Sequence, residues 1–99
     1  MIRHIALFKF KPGYSWQHAQ AREAESLAEQ VGRNVPDLRE WYAGRNFSER
    51  VIAYDYVVIG LVRDDEALRR YMVHPFHQLA IEKWRPISDW VIADVRETP

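Results

Sequence analysis

Cysteine is absent from the 99 residues, which excludes a disulfide scaffold, a thiolate metal site and a thiol nucleophile, and fits a reducing compartment. Net charge is absent too. Fourteen lysines and arginines balance 14 aspartates and glutamates, so the chain lacks the positive excess with which proteins hold nucleic acid or a polybasic face holds a membrane. No apolar run approaches the roughly 20 residues needed to span a bilayer. The first ten residues, with charges among them, read as a strand rather than as a leader. Gly13, Gly32, Gly44 and Gly60 have no phosphate-loop or dinucleotide-binding spacing. Ser15, Ser26, Ser48 and Ser88 stand in cap, helix or turn contexts outside any Gly-x-Ser-x-Gly element, which argues against a serine hydrolase. What is present is a chain 47% hydrophobic and 13% aromatic, too rich in both to be disordered. The length suits one domain, residues 1–99, that buries only about 60–70% of its unfolded surface unaided. The expectation is a soluble, cytoplasmic protein that binds neither nucleic acid nor membrane.

Residues Met1 to Phe10 alternate Ile2, His4, Ala6, Phe8 and Phe10 with Arg3, Ile5, Leu7 and Lys9, the pattern of a strand, and Lys11-Pro12-Gly13 ends it. Ser15 is placed to cap a helix whose apolar positions Ala24, Leu27, Ala28 and Val31 fall at helical spacing, with Gly32 where a left-handed C-terminal cap belongs. Leu38 to Phe47 reads as a second strand, with Gly44 a candidate for a bulge. After the turn Ser48-Glu49-Arg50, the β-branched and aromatic run Val51 to Val62 reads as a third. Asp64 opens a helix with Leu68, Tyr71 and Met72 on its inner face. That helix breaks at His74, because Pro75 disfavours a helical residue before it while suiting the first position of the next helix. The segment carrying Phe76, Leu79, Ala80, Ile81 and Trp84 follows, and Trp90 to Arg96 closes the chain as a strand.

The order β-α-β-β-α-β is that of a ferredoxin-like α+β protomer, one antiparallel sheet with its helices on a single face. The first, third and fourth strands nevertheless carry apolar or aromatic residues at both parities, the mark of a sheet covered on both sides. With helical sequence for one face only, the second face calls for a partner sheet. The expected partner is a second copy of the chain, giving a homodimer joined through its sheet faces as a dimeric α+β barrel.

Few polar groups break the apolar pattern: His4, Tyr54, Tyr56 and the cluster Tyr71-Met72-Val73-His74-Pro75-Phe76-His77. Imidazole exchanges protons in both directions near neutral pH, and a tyrosine hydroxyl can orient it or donate to a developing oxyanion. A bend at Pro75 could bring Tyr71 and His77 together. His77 shares a helix face with Ile81 and Trp84, which directs it toward apolar surroundings where burial would keep it neutral. The same residues read equally as structure, with His74 capping the break and His77 a satisfied half-buried histidine. Tyr42, Tyr54 and Tyr56 suit cross-sheet packing. His74-x-x-His77 has no acidic residue at ligand spacing, so no metal is expected.

His4 with Lys9-Phe10-Lys11, Gly44 after an aromatic pair, and Tyr71-x-x-His74-Pro75-x-His77 together resemble the stress-responsive α/β-barrel (Dabb) family across essentially the whole chain. The His-Pro-x-His element is the specific part. The resemblance implies ferredoxin-like protomers paired into a dimeric barrel. The family's plant polyketide cyclases close a linear poly-β-ketone by aldol condensation without a cofactor. By that likeness His77 and Tyr71 would be catalytic, His77 taking the proton between two carbonyls and Tyr71 holding His77 while favouring the enolate. His4, His74, Tyr56, Phe76 and Trp84 would line the site of a small apolar or polyketide-like ligand. Tyr56 stands where such a cyclase carries a pocket histidine, which leaves the substrate open. Three readings therefore stand: a cofactor-free enzyme acting on a 1,3-dicarbonyl compound, a non-catalytic dimeric binding or stress-protection module, and a cofactor-independent monooxygenase or isomerase.

Overall fold

A computed structural model describes residues 1–98. Its elements run β1 (Ile2–Phe10), α1 (Ala19–Asn34), β2 (Glu40–Arg45), β3 (Tyr56–Val62), α2 (Asp65–Val73), α3 (Pro75–Trp84) and β4 (Ser88–Arg96). The four strands form one sheet in the order β2-β3-β1-β4, every neighbouring pair antiparallel. This is the expected ferredoxin-like arrangement, with the second helical region split in two at His74. No helix among the described residues is long and apolar enough to cross a membrane.

The alternation in β1 decides what lies inside. Ile2, His4, Ala6 and Phe8 are buried under the helices, while Leu7 and Lys9 are exposed on the other side. Two clusters share the covered face. An aromatic one gathers Phe8, Tyr56 and Trp84 with the alanines of α1, and an aliphatic one gathers Ile2, Val31, Val35, Val62 and Tyr71. Phe8 stacks on Trp84 with ring centroids 4.6 Å apart, and Tyr56 stacks on the same indole at 5.1 Å. The opposite face has no helix over it: Tyr42 is 62% and Val91 49% exposed there.

Several boundaries differ from the sequence expectation, each for a local reason. The third strand begins at Tyr56 rather than Val51, because the Asp55 carboxylate accepts the Phe10 N–H (2.8 Å) that would extend the ladder, and Arg50 to Ala53 form a turn. Val51 and Ile52 are consequently 95% and 75% exposed in a loop. The second strand spans only Glu40–Arg45, and its register with β3 runs unbroken past Gly44, so there is no bulge. The last strand begins two residues early, at Ser88. Ser15 does not cap α1. Its hydroxyl accepts the Gln17 N–H one turn earlier, and His18 holds the N-cap position.

Gly32 is not a left-handed cap either. The helix continues to Asn34, and Gly13 alone among the described residues has positive φ. Gly32 is small because Trp41 lies on it: a Cβ there would sit 2.5 Å from the Trp41 Cβ. The Trp41 indole N–H donates to the Ala28 carbonyl at 2.9 Å, which locks that contact between β2 and α1.

Candidate functional site

The break between α2 and α3 sets the site. In an unbroken helix the Phe76 N–H would bond the Met72 carbonyl and residue 75 would bond Tyr71. Pro75 has no N–H to give, and its ring forces His74 into extended geometry (φ −62°, ψ 134°). The Phe76 N–H turns instead to His74 Nδ1, at 3.1 Å. The Met72 carbonyl, left free, accepts the His77 Nδ1–H at 3.0 Å and the Gln78 side-chain N–H at 2.6 Å. A carbonyl can only accept, so the proton of neutral His77 resides on Nδ1 and its lone pair on Nε2. Burial, the largest cause, holds the His77 imidazole below its ordinary value of 6.5, opposed in part by the Met72 hydrogen bond and reinforced by His4 and His74.

Tyr71, in the last turn of α2, is fully buried and meets two imidazoles. Its ring meets His77 edge-on with centroids 4.6 Å apart and His4 edge-on at 5.4 Å. Burial, with a smaller contribution from Asp94, pushes the phenol far above its ordinary value, so at neutral pH it is an O–H donor and never a phenolate. No hydrogen bond joins Tyr71 to His77 among the described residues; Met72, not Tyr71, fixes the imidazole. His4 of β1 faces Asp94 of β4 across the sheet. Their side chains meet at 2.6 Å between His4 Nδ1 and the carboxylate.

His4, Tyr71 and His77 border a cavity of about 170 Å³ between the sheet and α1 and α3. Its walls are apolar apart from His4, Tyr71 and His77, with Trp41, Trp84 and Trp90 supplying aromatic surface. Of the residues the sequence singled out, His77, Tyr71, His4 and Trp84 come to this cavity. His74, Tyr56 and Phe76 do not. His74 is used as the shared cap of α2 and α3, Phe76 packs on the aliphatic cluster, and Tyr56 is buried in the aromatic cluster, where its hydroxyl has no hydrogen-bond partner among the described residues. Tyr56 also borders a separate recess under the loop between β2 and β3.

The residue that sequence reasoning missed is Asp94. Parity puts it on the same face as Trp90 and Ile92, so a charge at an inward position was visible. The register that sets it opposite His4 was not. Among the described residues no group of three His, Asp or Glu side chains is arranged to hold a metal ion.

A sheet of this order with helices on one face and imidazoles beneath them defines a ferredoxin-like α+β protein with a polar-tipped apolar cavity. The profile of the Stress responsive A/B Barrel Domain matches residues 2–97, and the chain belongs to that family. An uncharacterized protein of Streptomyces coelicolor is 39% identical over 94 residues, covering 95% of this chain and 97% of that one. A dimeric ferredoxin-like protein of unknown function from Thermobifida fusca superposes with a TM-score of 0.83 at 24% identity, over 95% of this chain and 88% of that one. A hydroxynitrile lyase from Passiflora edulis superposes with a TM-score of 0.74 at 14% identity, over 98% and 94% of the two chains.

Proposed function

We propose that the chain is the protomer of a homodimer whose cavity performs cofactor-free acid/base chemistry on a 1,3-dicarbonyl, polyketide-like compound, closing it to a ring by aldol condensation. One observation carries the reading: a neutral, half-buried imidazole, held at Nδ1 by a backbone carbonyl, with Nε2 left without a protein partner among the described residues, in an apolar cavity beside an un-ionised phenol. A C–H between two carbonyls is acidic enough for imidazole to remove. His77 Nε2 takes that proton, and the Tyr71 hydroxyl donates to the enolate oxygen as charge builds there. Ring closure then requires mainly that the chain be held folded, which an apolar cavity does. A cavity of about 170 Å³ suits a single ring, since an engineered cavity of roughly 150 Å³ takes up benzene. Trp84 and His4 form part of its wall.

The homodimer follows from the open sheet face, where Leu7, Tyr42, Val91 and Val95 are exposed together. A second copy laid face to face covers them, as the dimeric neighbour from Thermobifida supports. The same proton-handling groups would serve a carbon–carbon lyase working in the opposite sense, and the Passiflora lyase is the reason to hold that second reading.

Two measurements test the proposal. A linear 3,5,7-triketo thioester, followed by the ultraviolet absorbance of its ring product, is expected to turn over faster with wild-type protein than without it. No acceleration would leave a binding module. Sedimentation at micromolar concentration is expected to give a dimer, and Val91→Arg a monomer; a monomeric wild type refutes the assembly.

A further inference from the structure

The carbon–carbon bond-forming step of an aldol ring closure, which precedes loss of water, moves two protons, and His77 accounts for one. The second requires a group that can give a proton to the electrophilic carbonyl oxygen as it becomes a hydroxyl. Tyr71 can donate a hydrogen bond, but its raised pKa makes it a poor source of a whole proton. His4 is the other titratable group on the cavity wall. It is 4% exposed, on a central strand of the sheet, with its ring meeting Tyr71 edge-on. Its Nδ1 lies 2.6 Å from the Asp94 carboxylate, which fixes that nitrogen as the N–H and leaves Nε2 without a protein partner among the described residues.

We infer that His4 and Asp94 form a dyad that carries the second proton of the reaction, with His4 as the proton donor and Asp94 as the residue that positions it. The inference rests on the ring-closure reading above. Asp94 accepts the Nδ1–H, turns Nε2 of His4 away from the carboxylate, and is the counterion for the imidazolium whenever Nε2 is protonated, the part an aspartate plays behind a histidine in hydrolytic triads. His77 Nε2 removes a methylene proton, and that C–H electron pair becomes the enolate. The enolate carbon bonds to the second carbonyl carbon, whose C–O π bond breaks onto oxygen. Protonated His4 gives its Nε2 proton to that oxygen, leaving a hydroxyl, a neutral His4 and a protonated His77. The site resets when His77 releases one proton and His4 regains one.

Asp94 is suited to that exchange. Its side chain is 35% exposed, and it borders a surface recess with Asp65, Arg69 and Arg96 on the solvent side of the sheet edge. Of the two histidines on the cavity wall, His4 alone thus has a carboxylate reaching toward solvent.

Nitrogen-15 spectroscopy of the imidazoles and the fate of the triketo thioester in heavy water test this together. In wild-type protein neutral His4 is expected as the Nδ1–H tautomer, and in Asp94→Asn the two tautomers mix. His4→Gln is expected to lower ring closure at least tenfold while deuterium uptake at the methylenes, the His77 step, falls no more than about twofold. Asp94→Asn, the milder variant at a partly exposed position, shows the same split in smaller measure. A wild-type Nε2–H tautomer overturns the dyad whether or not the thioester is a substrate. Equal loss of uptake and closure in both variants, or no loss in either, overturns its role. A wild type that neither exchanges nor closes the thioester sinks the ring-closure reading instead, and the dyad's catalytic role with it, while the tautomer reports the geometry separately.

Discussion

Histidine is held at Nδ1 in two kinds of place in this molecule, and that ring nitrogen does opposite work in each. At the helix starts, His18 and His74 accept at Nδ1, from the Ser15 N–H at 3.2 Å and from the Phe76 N–H at 3.1 Å. In the cavity, His4 and His77 donate from Nδ1, to the Asp94 carboxylate at 2.6 Å and to the Met72 carbonyl at 3.0 Å. A backbone N–H consumes the imidazole lone pair, whereas a carbonyl or carboxylate consumes its proton and leaves the lone pair free. The partner, not the residue type, therefore decides which histidine can act as a base. His74 and His77 stand three residues apart and fall on opposite sides of that division because Pro75 supplies no N–H.

The largest effect separates those two. His77→Ala is expected to lower turnover of the triketo thioester by at least about 100-fold, the scale of a lost general base. His74→Ala is expected to change the rate of folded protein by less than about threefold. Comparable losses in the two variants would break the division between capping and cavity histidines. A melting temperature for His77→Ala far below wild type would make that residue structural.

Stability should sort them the other way. His74 is the N-cap of α3 and the C-cap of α2, so truncation removes the acceptor for the Phe76 N–H and loosens both helix ends. Urea unfolding of His74→Ala is expected to show a loss of about 1 kcal/mol. His74→Asn, whose side-chain oxygen can accept the same N–H, should recover most of it. No recovery would mean that the imidazole packs rather than caps.

The order of elements and the break at His74 were legible because each rests on local chemistry: alternation in β1, Asp64 accepting the Ala67 N–H at 2.9 Å, and the missing N–H of Pro75. The site was half legible. Tyr71 and His77 stand out as polar groups around one proline, and the covalent chain itself brings them together. Asp94 depends on a register between the first and last strands, 90 residues apart, which no local pattern encodes. Tyr56 reads as a cavity residue by likeness to a family position, yet stacking on Trp84 draws it into the aromatic cluster. The early start assigned to the third strand failed for a different reason. Val51 and Ile52 have high strand propensity, but a side-chain carboxylate from Asp55 ends the ladder before reaching them. Gly32 looks like a cap because caps favour glycine, and the pressure of Trp41 on a helix side is invisible without the fold.

The smallest expected effect reads the cavity environment directly, through pH. Burial sets the folded-state pKa of His77 below its ordinary 6.5, so below that value the unfolded chain binds a proton that the folded chain resists. The corresponding stability is complete above about pH 6.5 and is lost as pH falls from there toward the folded-state value. The quantity to measure is the difference between wild type and His77→Gln, which keeps a side-chain N–H for Met72 but cannot ionise. Between pH 7.5 and 5.5 the wild type is expected to lose more unfolding free energy in urea than the variant does. Parallel losses would mean that His77 is as well solvated in the folded protein as in the unfolded chain, and the cavity would then be too wet for the neutral base that its lone pair requires.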